Sequence, residues 1–181
     1  MDTIAAKKAI KKFIFHNVTL YVLIIIFLIP PLTFIGLILI FVLIINLRTT
    51  QKSIAKLEDS GTLEKAAAEM MSANARYLIK GNVIFTENYI FCKRTGLVLR
   101  YDEILWAYKH RHTSYTIVAD QVLDSLALAV EGMKKTIDAV TISKDKDHEI
   151  EIAILEIYRH NKHCLIGYTD ENIRKYKEMI K

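Results

Sequence analysis

The chain has 181 residues, 52% of them hydrophobic and 25% charged, with a net charge of +5 at pH 7 and two cysteines. Two cysteines are too few for a disulfide framework, and the spacing of Cys92 and Cys164 fits no metal or redox motif. The charge divides into +3 over residues 1–12 (four Lys less Asp2) and +2 over residues 48–181 (21 basic less 19 acidic), so a basic N-terminus facing anionic lipid explains most of it and nucleic acid is not needed as a partner.

In chain order, residues 1–12 read as a basic cytoplasmic N-terminus, and residues 13–47 then run for 35 positions without Asp, Glu, Lys or Arg. A helix of that length is about 50 Å long against a hydrocarbon core of about 30 Å, so one straight crossing leaves much of it unused. Pro30 and Pro31, the only prolines, fall near its middle and disfavour helix there. They predict a transmembrane hairpin with arms 13–29 and 32–47. Lys7, Lys8, Lys11 and Lys12 precede the run and Arg48, Lys52 and Lys56 follow it, so both flanks favour the cytoplasmic side. A hairpin satisfies both; a single kinked or tilted helix and a re-entrant hairpin are the competing readings, and a buried core hairpin of a soluble protein would need a large surrounding protein to cover residues apolar on every face. The run exceeds the apolar length of a signal peptide and lacks an A-x-A site. The expected location is the cell membrane, with two crossings and both termini cytoplasmic.

Residues 48–75 read as a helical connector in two pieces, with Gly61 as the stop and Thr62 as the next cap. From Asn82 the apolar period shortens. "NVIFT", "YIFCKR", "LVLRY", "ILWAYKHRH" and "YTIVA" predict strands separated by "EN", "TG", "DE" and "TS", and "SLALAVE" and "TIDAVTIS" predict a hairpin across "GMKK". Separators this short permit only antiparallel neighbours, which makes a meander of six or seven strands, while "ADQVLDSLA" reads as a long connection. Helical spacing predicts a helix over Glu149–His160, although "HEIEIAI" also alternates as a strand does. "CLIGYT" reads as a short returning strand, and Asp170 as the cap of a last helix with Ile173, Tyr176 and Ile180 on one face.

Thr86, Tyr89 and Ile90, then Leu99, Tyr101, Glu103 and Ile104, then Trp106 and Tyr108 lie in "VIFTENYIFCKRTGLVLRYDEILWAYKH". This stretch resembles the core of bacterial pleckstrin-homology-like (PH-like) domains. The layout as a whole resembles uncharacterised bacterial membrane proteins, a domain-of-unknown-function family, that join a transmembrane hairpin to such a domain. The resemblance implies a fold and a membrane address, and no catalytic residues. The expected class is therefore α+β: an N-terminal transmembrane helical hairpin, connecting helices, then a PH-like antiparallel meander sheet or partial barrel with C-terminal helices over residues 76–181.

The sharpest chemical cluster is "KHRH". In a regular strand Trp106, Tyr108, His110 and His112 share one face and Lys109 and Arg111 the other. Lys93, Arg94, Lys109 and Arg111 are the candidate contacts for a phosphate or anionic lipid, and His110 and His112 a candidate pH-sensitive or weak ligand cluster. A solvated strand end is the plainer reading of all six. His160, His163 and Cys164 are metal-ligand types without a paired motif, and a helix end explains the histidines. Asp102, Glu103, Asp120 and Asp124 have no spacing that argues for a carboxylate pair, and the six scattered glycines form no phosphate loop. The sequence thus points to no catalytic, cofactor or metal site. It points to a membrane-anchored, non-enzymatic interaction or scaffold module, whose partners are the bilayer, a protein at the membrane and anionic lipid. The alternatives are a membrane enzyme or transport accessory subunit whose site forms with a partner, and an envelope-stress or lipid sensor.

Overall fold

The computed structural model describes residues 2–15, 33–115, 120–133, 135–143 and 147–180. The fold is α+β, with an antiparallel meander followed by C-terminal helices. Helix α1 (Thr3–Phe15) is capped by Asp2, whose carboxylate accepts from the Ile4 amide at 2.5 Å. The basic N-terminal segment is therefore itself helical. Helix α2 (Thr33–Asp59) is one rod of 27 residues, about 40 Å long, and does not break at Leu47 where the apolar stretch ends. Its stop is where the sequence places it. Gly61 adopts φ +65°, its amide bonds the Glu58 carbonyl at 2.9 Å, and the Thr62 amide bonds the Leu57 carbonyl at 2.8 Å, a Schellman closure. Helix α3 (Leu63–Met70) follows; Thr62 stands at its start without a side-chain capping bond.

Among the described residues no helix is long and apolar enough to cross a membrane. Most of the expected first arm, residues 16–29, and the first residue of the second, Leu32, lie outside the described residues, while residues 33–47 fall within α2. The hairpin thus stands on the sequence pattern alone.

Two four-stranded sheets follow, where a single sheet of six or seven strands is expected. The first is β1 (Arg76–Leu78), β2 (Val83–Phe85), β3 (Tyr89–Cys92) and β4 (Leu97–Arg100), in chain order and antiparallel. A 3₁₀ turn (Tyr101–Glu103) leads into β5 (Ile104–Tyr115), which pairs with β6 (Asp120–Val130), itself paired with β7 (Ile137–Ser143). The "TS" separator proves to be strand: Thr113 pairs with Val122 and Ser114 with Gln121. Threonine suits a pleated strand, and neither residue supplies the positive φ that ends one. By the same pairing residues 120–127 of "ADQVLDSLA" form most of β6 and not a connection, while of "YTIVA" Tyr115 ends β5 and residues 116–119 lie outside the described residues. The chain then forms helix α4 (Asp147–His160), strand β8 (Leu165–Ile166) and helix α5 (Asp170–Met179). Strand β8 lies parallel to β5, because α4 provides the crossover that a parallel return requires. The cap of α5 is Thr169, not Asp170: Thr169 is extended, and its side chain accepts from the Asn172 amide at 3.2 Å.

The strands read as nearly continuous apolar runs because both faces of each sheet are covered. Val83, Phe85, Ile90, Cys92, Leu97 and Leu99 point into a core shared with the second sheet and with Ile150, Ala153 and Ile157 of α4. Ile84, Tyr89, Phe91 and Val98 point the other way, onto Ala6 and Ile10 of α1, Ile54 and Leu57 of α2, and Ala66, Ala67 and Met70 of α3. On the outer face of the second sheet, Trp106 and Tyr108 sit across from Ala129 and Ala127, small residues that leave room for the aromatic rings. Ile173 and Tyr176 of α5 pack on that layer, and the Trp106 indole donates to the Gly167 carbonyl at 2.8 Å; Ile180 stays exposed. The order is thus helices, sheet, core, sheet, helix, with α4 closing the core.

The β1–β2 turn holds Ile79 and Lys80 at φ 55°, where L-residues are disfavoured. Ile79 is buried, whereas Lys80 is exposed and contributes no core packing. Lys80→Gly should therefore stabilise the protein by about 0.5–1 kcal/mol in a denaturant melt. A loss of stability would contradict the left-handed turn.

Candidate functional site

The strand that carries "KHRH" is regular, and the expected alternation holds. Successive rings on one face are Trp106 and Tyr108 at 4.4 Å, Tyr108 and His110 at 6.4 Å, and His110 and His112 at 5.5 Å. The aromatic half of this row is covered by α5 and by the Tyr168 ring, which stacks on Trp106 at 5.5 Å. His110 is half-exposed with Nδ1 3.5 Å from Asp138, while Nδ1 of His112 is buried without a hydrogen-bond partner among the described residues.

The four candidate cations do not form one patch. Lys109 pairs with Glu151 of α4 at 2.7 Å. Arg111 grips Asp124 with both ends of its guanidinium, at 2.8 and 3.0 Å. The Asp124 side chain is fully buried and that of Arg111 is 49% exposed, so this pair serves to neutralise a charge inside β6. Lys93 and Arg94 lie in the turn after β3 in the other sheet. Lys93 Nζ lies 5.9 Å from the centre of the Phe13 ring, and Arg94 borders a cleft beside Thr49 of α2.

The residues around "RHNKHC" also serve the fold. His160 stacks on Tyr101 at 4.2 Å, and its Nε2 lies 3.4 Å from Glu156. The Asn161 amide donates to the carbonyls of Tyr101 and Ile104, fixing the entry to β5, and its oxygen accepts from the His163 amide. Burial pushes the Cys92 and Cys164 thiols up to about 12, so neither is a thiolate at neutral pH. Burial likewise raises the Tyr101 phenol, which donates to the Thr86 carbonyl at 2.8 Å. Among the described residues no group of three or more His, Cys, Asp or Glu is placed to hold a metal ion.

Two polar clefts escape the sequence reading. One, of about 520 Å³, lies between α3, β1, β2 and α4 and includes Glu69, Arg76, Glu156 and Arg159. Both carboxylates are taken up by hydrogen bonds of the fold: Glu69 accepts from Thr86 Oγ1, the Asn88 amide and Asn88 Nδ2 at 2.6–2.9 Å, and Glu156 from Arg76 at 2.8 Å. The other, of about 580 Å³, lies between α1 and α2 and is lined by Lys7, Lys8, Lys11 and Lys12 together with Leu47, Thr50 and Gln51. The lysines themselves were plain in the sequence as an anchor flank. Their gathering over one cleft follows from α1 being a helix packed on α2 and α3 through Ala6 and Ile10, which the apolar positions Ala6, Ala9, Ile10 and Phe13 signal by their helical spacing.

No family model, no curated protein and no solved structure matches this chain.

The geometry separates a structural cation from a peripheral one. Arg111→Leu should destabilise the protein by about 1–3 kcal/mol, since it removes two charge-assisted hydrogen bonds from a buried carboxylate, whereas Lys93→Gln should stay within about 0.5 kcal/mol. Equal effects in chemical denaturation would remove the distinction.

Proposed function

We propose that this chain is a membrane-anchored, non-enzymatic interaction module whose PH-like α+β domain is held at the cytoplasmic face by an N-terminal transmembrane hairpin. One observation supports it above the others. Leu37, Ile38, Phe41, Ile44 and Ile45 form an apolar ridge along α2, each 41–63% exposed. A ridge of that size facing water is unfavourable, and it continues the stretch that carries no charge between Lys12 and Arg48. Acyl chains are the occupant that suits an uncharged stretch with lysine or arginine at both ends.

The same helix enters the domain without interruption. Ile54 and Leu57 are buried against the first sheet, and the Ser53 hydroxyl accepts from the Val98 amide at 3.4 Å. The domain is in this reading mounted rigidly, at a fixed height above the lipid, and binds partners that are themselves at the membrane, where tethering raises effective concentration. The meander order and the closure of the core by α4 favour the PH-like assignment. Outward-facing Ile152, Leu155 and Tyr158 on α4 supply apolar surface for a protein partner.

The test uses the full chain in cells with Lys177→Cys on exposed α5, the buried native thiols being left in place. Retention in the membrane pellet after alkaline carbonate, with labelling by an impermeant maleimide only after lysis, is the expected result. Release by carbonate would overturn insertion, and labelling of intact cells would overturn the cytoplasmic placement.

A further inference from the structure

The cleft between α1 and α2 brings four ammonium groups to one face of a single helix. Of these, Lys7 is held by Glu58 at 2.5 Å, while no ion pair engages Lys8, Lys11 or Lys12 among the described residues. Lys8 and Lys12 are spaced i,i+4 and Lys8 and Lys11 i,i+3, the separations at which like charges on a helix repel. The helix is nevertheless fixed in place, because Ala6 and Ile10 are fully buried against α2, α3 and the first sheet, and Thr3 donates to Glu64 at 2.8 Å. The lysines therefore cannot relieve their repulsion by turning the helix. An anion seated between them can.

The cleft also has a defined depth. Its α2 wall is Leu47, Thr50 and Gln51, and Gln51 lies ten residues, or about 15 Å along the axis, beyond Phe41 at the centre of the exposed apolar ridge. With that ridge in acyl chains, the cleft falls at the level of the headgroup phosphates, half a hydrocarbon thickness from the bilayer centre. The geometry points to a specific site for one anionic glycerophospholipid headgroup, with the phosphate among Lys8, Lys11 and Lys12 and the Gln51 amide beside the glycerol hydroxyls. This inference rests on the membrane-anchored reading and deepens it, replacing diffuse attraction of a basic segment with a built site. It also moves the lipid contact away from Lys93, Arg94, Lys109 and Arg111.

The experiment is native mass spectrometry of the full chain released from nonionic detergent, titrated with phosphatidylglycerol, phosphatidylcholine or inorganic phosphate. It is repeated on K8Q/K11Q/K12Q and on a charge-matched control, R174Q/K175Q/K177Q in α5, with a circular dichroism melt to verify folding. One phosphatidylglycerol bound in preference to phosphatidylcholine is expected. The preference should fall by about fivefold per lysine, on the order of a hundredfold for the triple variant, and persist in the control. Equal binding of the two lipids, or a preference that survives the triple variant, overturns the site. Displacement of the lipid by millimolar phosphate overturns the headgroup as its source. If the triple variant fails to fold, K11Q alone must still lower the preference about fivefold, and no change overturns the proposal. Carbonate extraction of the same wild-type preparation from membranes separates the two ideas: a carbonate-resistant chain without lipid preference refutes only the site, and a released chain refutes the anchor beneath it.

Discussion

The outer face of the first sheet is the surface on which the rest of the structure depends. Ile84, Tyr89, Phe91 and Val98 present an apolar layer that a lone antiparallel sheet would leave to water, and three helices cover it. Burial of each large side chain there contributes about 1.5–3 kcal/mol. The consequence is mechanical as much as energetic. Helix α2 contributes its second half to this layer, and its first half projects away as exposed apolar surface. Whatever holds the first half acts directly on the domain core, with no hinge residue between them.

Helix α1 completes the arrangement from the opposite side of the uncharged stretch. It packs on α3 and α2, so the two ends of that stretch return to the same layer. The convergence brings Lys7, Lys8, Lys11 and Lys12 alongside Thr50 and Gln51. Lys7, before the uncharged run, and Glu58, beyond it, become ion-paired neighbours at 2.5 Å beside the apolar contacts of Ala6 and Ile10. The core on the other side of the sheet, shared with β5–β7 and α4, is independent of these contacts and shapes the part of the molecule that faces away from them.

Much of this was legible in the residues. β-branched and aromatic runs marked β2, β3 and β4, Gly61 marked the end of α2, and the i,i+3,i+4 spacing of Ile150, Ala153, Ile154 and Ile157 marked α4. Boundaries set by polarity were misleading. Leu47 ends the apolar run but not the helix, because Arg48 and Thr49 continue α2 without a breaker before Gly61. Asp124 made the start of β6 look like a loop, since its buried carboxylate is neutralised by Arg111, thirteen residues earlier and across the hairpin. Strand β8 was expected from "CLIGYT", whereas its parallel pairing with β5 needed knowledge of where α4 would deliver the chain. Among the candidate contacts, the face alternation of "KHRH" followed from strand period, while the partners of Lys109 and Arg111 came from strand and helix packing that no local pattern encodes.

The central claim is that α2 runs from hydrocarbon into the domain as one rigid element. Its most direct test is electron paramagnetic resonance of the full chain in lipid vesicles, with single nitroxides at Phe41 and Gln51 in turn and collisions measured with oxygen and with a water-soluble nickel complex. The account expects Phe41 to collide mainly with oxygen, as in acyl chains, and Gln51 to sit near the headgroups, with both labels as immobile as a helix backbone allows. Equal, high access of the nickel complex to both positions would place α2 in water and contradict it.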